Sequence, residues 1–299
     1  MSSAVKTEKL SKAFWTVKAL REMSLEIPQG AIYALVGPNG AGKTTAIKVL
    51  MNIFAPSGGR AEVLGVDSSK LAGGFFTQVG YVSENQQMPE WMRVDQFFDY
   101  LRPFYPQWDR ALESSLREQM ELPGDRKLRH LSRGMKMKAA LASSLAYRPK
   151  LIVLDEPFTG LDPLVRDQLI ESLLERAAEA TILISSHDLA EIESFSSHVG
   201  YLEQGRLKFS EEMSSLANRF REVVVTLAQT PSVPARTPET WLQPAAAGAT
   251  FQFIDSQFEP ERTGAAIRST FGQVRDVTYT PMTLRSIFLA MAKSKRASA

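Results

Sequence analysis

The segment LVGPNGAGKTTAIKVL at residues 35–50 places three glycines, a lysine and two threonines directly before a predicted helix. Glycine permits the positive φ angles of a tight loop and lets backbone N–H groups converge on one point. The helix that follows contributes unpaired N–H donors and a partial positive charge. Such a loop binds an anion, and Lys43 adds a full positive charge beside it. The alternative is a Gly-rich connection with a solvated lysine.

The spacing Gly37-x-x-x-x-Gly42-Lys43-Thr44 is that of the phosphate-binding loop of nucleotide hydrolases. In such loops the lysine reaches the β- and γ-phosphates, and the hydroxyl that follows it ligates Mg²⁺. We therefore predict these roles for Lys43 and Thr44. The predicted nucleotide-binding residues of the loop are Gly37, Pro38, Asn39, Gly40, Ala41, Gly42, Lys43, Thr44 and Thr45.

Two adjacent carboxylates end a second apolar segment, in KLIVLDEPFTGLDP at residues 150–163. In an open α/β sheet, ligands collect at the carboxyl ends of the strands. Asp155 is therefore predicted to hold Mg²⁺, and Glu156 to orient an attacking water as general base. His187 follows a third apolar strand in TILISSHDLAE and is a candidate γ-phosphate sensor, although a lone histidine is more often structural.

The segment LSRGMK at residues 131–136 precedes a strong helix candidate. Taken alone it predicts a helix start, with Ser132 as the N-cap and Gly134 permitting the turn. It lies about twenty residues before the Asp155–Glu156 pair, which makes a second role at the nucleotide worth testing.

These residues must be positioned by alternating strands and helices. Apolar runs at 31–36, 151–154 and 181–184 predict buried strands, and helical periodicity covers 44–54, 132–146 and 163–180. This alternation indicates a parallel sheet covered on both faces. Further strands are predicted at 5–10, 23–27, 61–64 and 78–83, and residues 91–121 are predicted to be mainly helical.

The composition changes near residue 229. Residues 229–249 are rich in Pro, Ala and Thr and predict a linker or long loop. Beyond it we predict a small α+β unit, with strands at 251–254 and 274–279, helices at 259–271 and 281–293, and a solvated tail at 293–299.

Bulk composition excludes several classes of protein. The 299 residues suggest about two domains. A net charge of +2 is too mild for the concentrated basic patch of a nucleic-acid-binding protein, so no nucleic acid is expected. The absence of cysteine excludes disulfides and thiolate metal sites. The N-terminal segment lacks the apolar core of a signal peptide, and no run approaches the roughly 18 apolar residues of a membrane span. We therefore expect any work at a membrane to depend on a partner.

The order of the motifs, from the phosphate loop through LSRGM, LIVLDEP and GLD to SSHD, resembles the nucleotide-binding subunit of ATP-binding cassette (ABC) transporters. The resemblance covers residues 4–220 and implies the α/β fold of the P-loop NTPase ABC cassette. That fold has a mixed sheet core, an antiparallel β subdomain and a helical subdomain at about residues 84–147. We expect an ATPase domain at 1–220 and a small C-terminal α+β accessory domain at 221–299. The latter resembles, less closely, the tail of ATPase subunits of bacterial exporters.

The resemblance also implies cofactors and partners. ATP and Mg²⁺ would bind between two subunits paired head to tail, either a homodimer or a dimer with a related ATPase subunit. Ser132 and Gly134 would then contact the γ-phosphate held by the other chain, and Asp162 would lie at the dimer contact. Phe14 matches the aromatic that stacks on adenine; Trp15 is the neighbouring candidate, and either could be core.

The resemblance implies that the chain is the ATP-hydrolysing subunit that powers a separate membrane-spanning transporter subunit. It also implies transport in the export direction and a location at the cytoplasmic face of the cell membrane. Residues 84–130 would dock onto that membrane subunit. The alternatives are a soluble ABC-type ATPase not coupled to transport and a kinase with the same phosphate loop. The kinase does not explain LSRGM or His187.

The sequence departs from the family pattern at three positions. Glu84 stands where the family usually has a glutamine that ligates Mg²⁺, and we keep Glu84 as a metal-ligand candidate, with Gln86 as the second choice. Arg133 replaces a glycine and Met135 a glutamine of the family's signature segment, which is LSRGM at residues 131–135 here. Because Ser132 and Gly134 are retained, we expect hydrolysis to survive.

Overall fold

A computed structural model describes residues 2–228, 234 and 237–296. The chain forms two compact units, residues 1–210 and 211–299. The assignment of an ATPase domain to 1–220 and an accessory domain to 221–299 stays a prediction. Of the predicted linker, residues 229–233, 235 and 236 lie outside the described residues, as do the last three of the predicted tail.

The first unit contains ten strands and five α-helices among its described residues. The strands are β1 (Ser3–Phe14), β2 (Val17–Pro28), β3 (Ile32–Val36), β4 (Gly58–Val63), β5 (Val66–Asp67), β6 (Val79–Ser83), β7 (Leu151–Asp155), β8 (Thr181–Ser186), β9 (His198–Glu203) and β10 (Arg206–Glu212). The helices are α1 (Lys43–Leu50), α2 (Val94–Leu101), α3 (Arg110–Gln119), α4 (Arg133–Leu145) and α5 (Pro163–Arg176).

The central sheet has the strand order β10-β9-β3-β8-β7-β6. Strands β6, β7, β8, β3 and β9 pair in parallel, and every residue of β3, β7 and β8 is buried. Full burial on both faces explains why these segments are almost continuously apolar. The register aligns Ser83 with Asp155, and Asp155 with Ser185, so the residues that follow these strands emerge at one edge.

A second, antiparallel sheet has the order β2-β1-β4-β5. Its buried side chains share one hydrophobic core with α1 and the central sheet, including Leu10, Leu20, Met23, Ile47 and Leu50. This shared core fixes α1, and with it the loop before α1, relative to both sheets.

Helices α2, α3 and α4 lie between β6 and β7 in the chain. Asp109 caps α3 by accepting from the Leu112 N–H at 3.0 Å, and Ser132 caps α4 by accepting from the Met135 N–H at 3.2 Å. The structure thus has the mixed sheet, antiparallel sheet and helical segment expected of the cassette fold.

The second unit contains α6 (Met213–Arg219), β11 (Arg221–Leu227), β12 (Trp241–Ala247), β13 (Thr250–Asp255), α7 (Pro260–Thr270), β14 (Val274–Pro281) and α8 (Leu284–Arg296). Its four-stranded antiparallel sheet has the order β12-β13-β11-β14. The predicted helix at 281–293 is displaced, because Pro281 ends β14 and α8 begins at Leu284; α8 also extends into the predicted tail, as far as Arg296.

The predicted linker was wrong over residues 241–247, which form β12. Proline and alanine disfavour a strand, but β12 lies at the sheet edge, where a missing N–H at Pro244 is tolerated. A register shift falls between Leu242 and Ala245. Trp241 anchors the strand, because its ring is buried and stacks on Phe253 with 3.9 Å between centroids.

None of the helices in the described part of the chain is both long and apolar enough to cross a bilayer.

We predict that Gly200→Ala destabilises the first unit. A Cβ at Gly200 would lie 2.0 Å from the hydroxyl of the fully buried Tyr33, and that hydroxyl is held by Ser210 at 2.8 Å. Overpacking of this kind costs about 1–3 kcal/mol. Urea unfolding measures the loss, with Gly74→Ala as control, because a Cβ at Gly74 meets no atom within 4 Å. Equal midpoints for the two variants would contradict the prediction.

Candidate active site

The loop between β3 and α1 is held at close range by the neighbouring backbone. A Cβ at Gly37 would lie 2.0 Å from the Leu202 carbonyl oxygen. Gly42 has φ 108°, and a Cβ there would lie 2.5 Å from the Ala19 carbonyl oxygen. Glycine is therefore required at both positions by contact, and at Gly42 also by backbone conformation.

Lys43 is buried at the start of α1 and uses its ammonium group fully. Its Nζ donates to the carbonyl oxygens of Gly37 at 2.6 Å and Pro38 at 3.3 Å. It also forms an ion pair with Glu156 Oε1 at 3.0 Å, with side-chain exposures of 4% and 11%. An ammonium group has three N–H donors, so all three are engaged.

Glu156 lies between two partners of basic character. Its Oε2 is 2.7 Å from His187 Nδ1 and accepts from the Thr159 hydroxyl at 3.2 Å, while Oε1 faces Lys43. Burial raises the pKa of Glu156, but hydrogen bonds from His187 and Lys43 outweigh burial and hold the pKa below its ordinary value. Glu156 also has φ 52°, a left-handed conformation that costs free energy in a non-glycine residue and is concentrated at functional sites.

Asp155 is buried at the end of β7. Its Oδ1 accepts from the hydroxyls of Ser185 at 2.7 Å and Thr44 at 3.1 Å. Burial raises the pKa of Asp155, and the hydrogen bonds from Ser185 and Thr44 only partly offset that effect. A carboxylate this poorly solvated gains from a nearby cation.

Lys43, Thr44, Glu156 and His187 line a cavity of about 760 Å³, whereas Gly37, Pro38 and Asp155 are not among its lining residues. The predicted site residues that line it are Asn39, Gly40, Ala41, Gly42, Lys43, Thr44, Thr45, Glu84, Glu156 and His187. Sequence reasoning missed seven further lining residues: Val17, Lys18, Ala19, Arg21, Thr159, Gln204 and Gly205. The local sequence gives little sign of these residues. The first four lie on β2 and the last two on the turn after β9, so only the packing of these segments against the loop brings them to the cavity.

The aromatic candidates lie outside that lining. Phe14 packs edge-on against Phe54 with 5.2 Å between centroids, and Lys12 Nζ is 4.8 Å from its ring. Trp15 is fully exposed, with φ 51°. Stacking of Phe14 on adenine stays a prediction.

The signature and GLD residues also lie outside the cavity lining. Ser132 caps α4, and Asp162 caps α5 by accepting from the Val165 N–H at 3.1 Å. Both caps are exposed to solvent. Gly134 is buried, and a Cβ there would lie 3.2 Å from Val165 Cγ1. Close packing against Val165 is therefore a structural reason for glycine at this position. Gln86 caps a local turn by accepting from the Ser83 N–H at 3.4 Å.

Three comparisons with known proteins agree on one family. The ABC transporter family pattern matches residues 20–159. An ABC transporter ATP-binding protein of Nostoc sp. is 35% identical over 72% of this chain and 68% of its own length. The daunorubicin resistance ATP-binding protein DrrA2 of Streptomyces coeruleorubidus is 32% identical over 77% of this chain and 75% of its own.

Among solved structures, an ATP-binding subunit of an ABC transporter superposes with a TM-score of 0.67 at 26% identity, over 72% of this chain and 92% of that one. The chain belongs to the ABC transporter ATP-binding proteins. The predicted fold class and family are thereby confirmed. This ABC protein is an ATPase that binds ATP, and subunits of its family generally act together with membrane-spanning subunits.

We predict that Asp155→Asn stabilises the folded chain at neutral pH while removing a charge from the site. Asparagine retains an acceptor oxygen for Ser185 and Thr44 without a buried negative charge. We expect the melting temperature to rise by about 2–4 °C, the shift for about 1 kcal/mol in a domain of this size.

The pH dependence of that difference follows from linkage. Because the folded pKa of Asp155 is raised above 3.8, the folded chain binds this proton more tightly than the unfolded chain, and stability falls as pH rises through that range. The advantage of Asp155→Asn should therefore be largest at neutral pH and shrink at an acidic pH near the unfolded value of 3.8. Calorimetric melts of both chains at neutral and at acidic pH check this. A stability advantage of Asp155→Asn that grows as the pH falls would contradict the prediction.

Proposed function

We propose that this ABC protein binds and hydrolyses two ATP molecules in a head-to-tail dimer and so powers a separate membrane-spanning subunit. The chain would work at the cytoplasmic face of the membrane, through that subunit. The observation that carries the proposal is the Glu156 carboxylate held between Lys43 and His187 at the cavity edge. It places a cation for phosphate and an imidazole each within hydrogen-bond reach of one carboxylate base.

Phosphate binding follows from the donors of Lys43. Two of its N–H groups are fixed on carbonyl oxygens of the loop, and the third faces the Glu156 carboxylate. An oxygen of the β- or γ-phosphate is an anionic acceptor of the same kind, so ATP would compete with Glu156 for that third donor. The backbone N–H groups of residues 37–45 and the start of α1 complete the cradle.

Release from Lys43 would also prepare Glu156 for catalysis. The ion pair with Lys43 is one reason that the pKa of Glu156 is low, and a weakly basic carboxylate is a poor proton acceptor. When phosphate draws the Lys43 charge away, burial would raise that pKa toward a value useful for general-base catalysis. His187 then remains as the group that orients the Glu156 carboxylate and contacts the γ-phosphate.

Residues at the cavity, together with Asp155 beside Thr44, fit a magnesium ion. Mg²⁺ takes one or two carboxylates together with phosphate oxygens rather than an all-protein cage. The Thr44 hydroxyl, the poorly solvated Asp155 and Glu84 are suitable donors, and Thr44 and Asp155 are already 3.1 Å apart. When bound, Mg²⁺ would neutralise charge on the β- and γ-phosphate oxygens.

The dimer accounts for the remaining motif residues. Ser132, Gly134 and Asp162 are not among the residues that line the cavity of their own chain. Ser132 is exposed at the N-terminus of a 13-residue helix, where unpaired N–H groups favour an anion. A second chain, identical or related, would therefore receive the γ-phosphate at Ser132 and Gly134, with Asp162 at the contact.

Export is supported by one relative, which is named a daunorubicin resistance ATP-binding protein. Docking on a membrane subunit through residues 84–130 is supported by large exposed aromatics at Trp91, Tyr100 and Phe104, which a soluble surface seldom concentrates.

We predict that Glu156→Gln binds ATP at least as tightly as the natural chain but hydrolyses it roughly a hundredfold or more slowly, the scale of a lost general base. The amide removes the negative charge that competes with phosphate for Lys43. Calorimetry measures binding, phosphate release measures turnover, and size-exclusion chromatography should show an ATP-bound dimer. Near-normal turnover would remove Glu156 from the catalytic role.

We predict that mixing Lys43→Ala with Ser132→Arg chains restores ATPase activity above that of either variant alone. If each ATP needs Lys43 from one chain and Ser132 from the other, both lesions fall in one site of the mixed dimer and leave the other intact. Phosphate release is measured on a dimer isolated with two different affinity tags.

A single-chain dimer with one lesion is the control for that experiment. It reports whether one intact site turns over alone. If it is active and the mixed dimer is not, the shared-site geometry is wrong.

A further inference from the structure

Glu84 and Arg133, two of the three departures from the family pattern, contact each other. Arg133 Nη2 lies 2.8 Å from Glu84 Oε1, and the side chains are 48% and 33% exposed. Glu84 follows β6, whereas Arg133 is the first residue of α4. The pair therefore connects the start of α4 to the edge of the central sheet in the same chain.

Arg133 also contacts the segment that follows β7. Gly160 has φ 69°, and a Cβ there would lie 3.2 Å from Arg133 Nη1. The guanidinium thus lies against Gly160 on one side and bonds Glu84 on the other. The absence of a side chain at Gly160 leaves room for the arginine head group beside Glu84.

Glu84 is fixed at the cavity by its backbone. Its N–H donates to the Asp155 carbonyl oxygen at 2.9 Å, and Glu84 lines the cavity together with Thr44. The Glu84 carboxylate can therefore serve either of two cations, the guanidinium of Arg133 or a divalent ion near Thr44 and Asp155. A carboxylate oxygen held by the guanidinium is a weaker ligand, because its charge is already partly neutralised.

We propose that Arg133 is a positioning residue that competes with the divalent cation for the Glu84 carboxylate, so that metal binding and the Glu84–Arg133 contact oppose each other. This inference rests on the proposed nucleotide and metal site. By reciprocity, metal at Glu84 weakens the tie between the start of α4 and the sheet edge, and loss of that tie strengthens metal binding.

Binding of Mn²⁺ tests the proposal without relying on turnover. Mn²⁺ is titrated into the full chain in the presence of a non-hydrolysable ATP analogue. Electron paramagnetic resonance then measures the Mn²⁺ that remains free. We expect Arg133→Gln to tighten Mn²⁺ binding about twofold to fivefold, the range for a partly exposed ion pair, and Glu84→Gln to weaken it. Arg133→Lys, which keeps the charge, should lie between Arg133→Gln and the natural chain.

The double variant separates direct competition from a distant charge effect. With Gln at position 84, Arg133→Gln should leave Mn²⁺ affinity unchanged, because the shared carboxylate is gone. Lys136→Gln is the matched control: it removes a cation from the same helix, paired with Glu90 at 3.0 Å, and should have no effect. Circular dichroism melts confirm that each variant is folded.

Three results would overturn the inference. They are an unchanged Mn²⁺ affinity in Arg133→Gln, an unchanged affinity in Glu84→Gln, and a tightening by Arg133→Gln that persists in the double variant. If the natural chain fails to bind the nucleotide analogue, the proposed nucleotide site is wrong and this inference falls with it. Normal nucleotide binding with any of the three results contradicts the inference alone.

Discussion

The buried ion pair between Lys43 and Glu156 is the interaction on which the site depends. Its two members follow β3 and β7, and β8, which carries His187 just beyond its end, lies between those strands in the sheet. Each charge keeps other partners when the pair opens, because Lys43 also donates to two loop carbonyl oxygens and Glu156 also accepts from His187 and Thr159. The parallel register of three buried strands therefore decides the distance between a cation, a carboxylate and an imidazole, since the groups are far apart in the chain.

The same edge stores unfavourable free energy. Asp155 carries a carboxyl whose pKa is raised by burial, and Glu156 has a left-handed backbone conformation. A chain selected only for stability would replace both features. Their presence together, on consecutive residues at the carboxyl end of β7, is the expected cost of holding charged groups ready for a cationic and phosphorylated ligand.

The conformation of the phosphate loop depends on contacts with neighbouring segments as well as on its own glycines. The backbone of the β1–β2 hairpin approaches Gly42, and the end of β9 approaches Gly37. The Gly205 N–H donates to the Ala41 carbonyl oxygen at 2.9 Å, and the Arg21 N–H donates to the Gly205 carbonyl oxygen at 2.8 Å. These contacts tie the loop, the antiparallel sheet and the turn after β9 together, so the antiparallel sheet forms one wall of the cavity.

The sequence by itself determined the phosphate loop, the strand that ends in Asp155 and Glu156, the helix start at Ser132 and the alternation that builds a parallel sheet. Each of these is a local pattern of residue type and spacing, and such patterns are set by backbone conformation and burial over a few residues. Only the tertiary structure decided that β12 forms at a sheet edge around Trp241, that β2 and the turn after β9 line the cavity, and that Arg133 bonds Glu84. Those features depend on contacts between segments distant in the chain, where the packing of one element supplies what the local composition of the other does not encode.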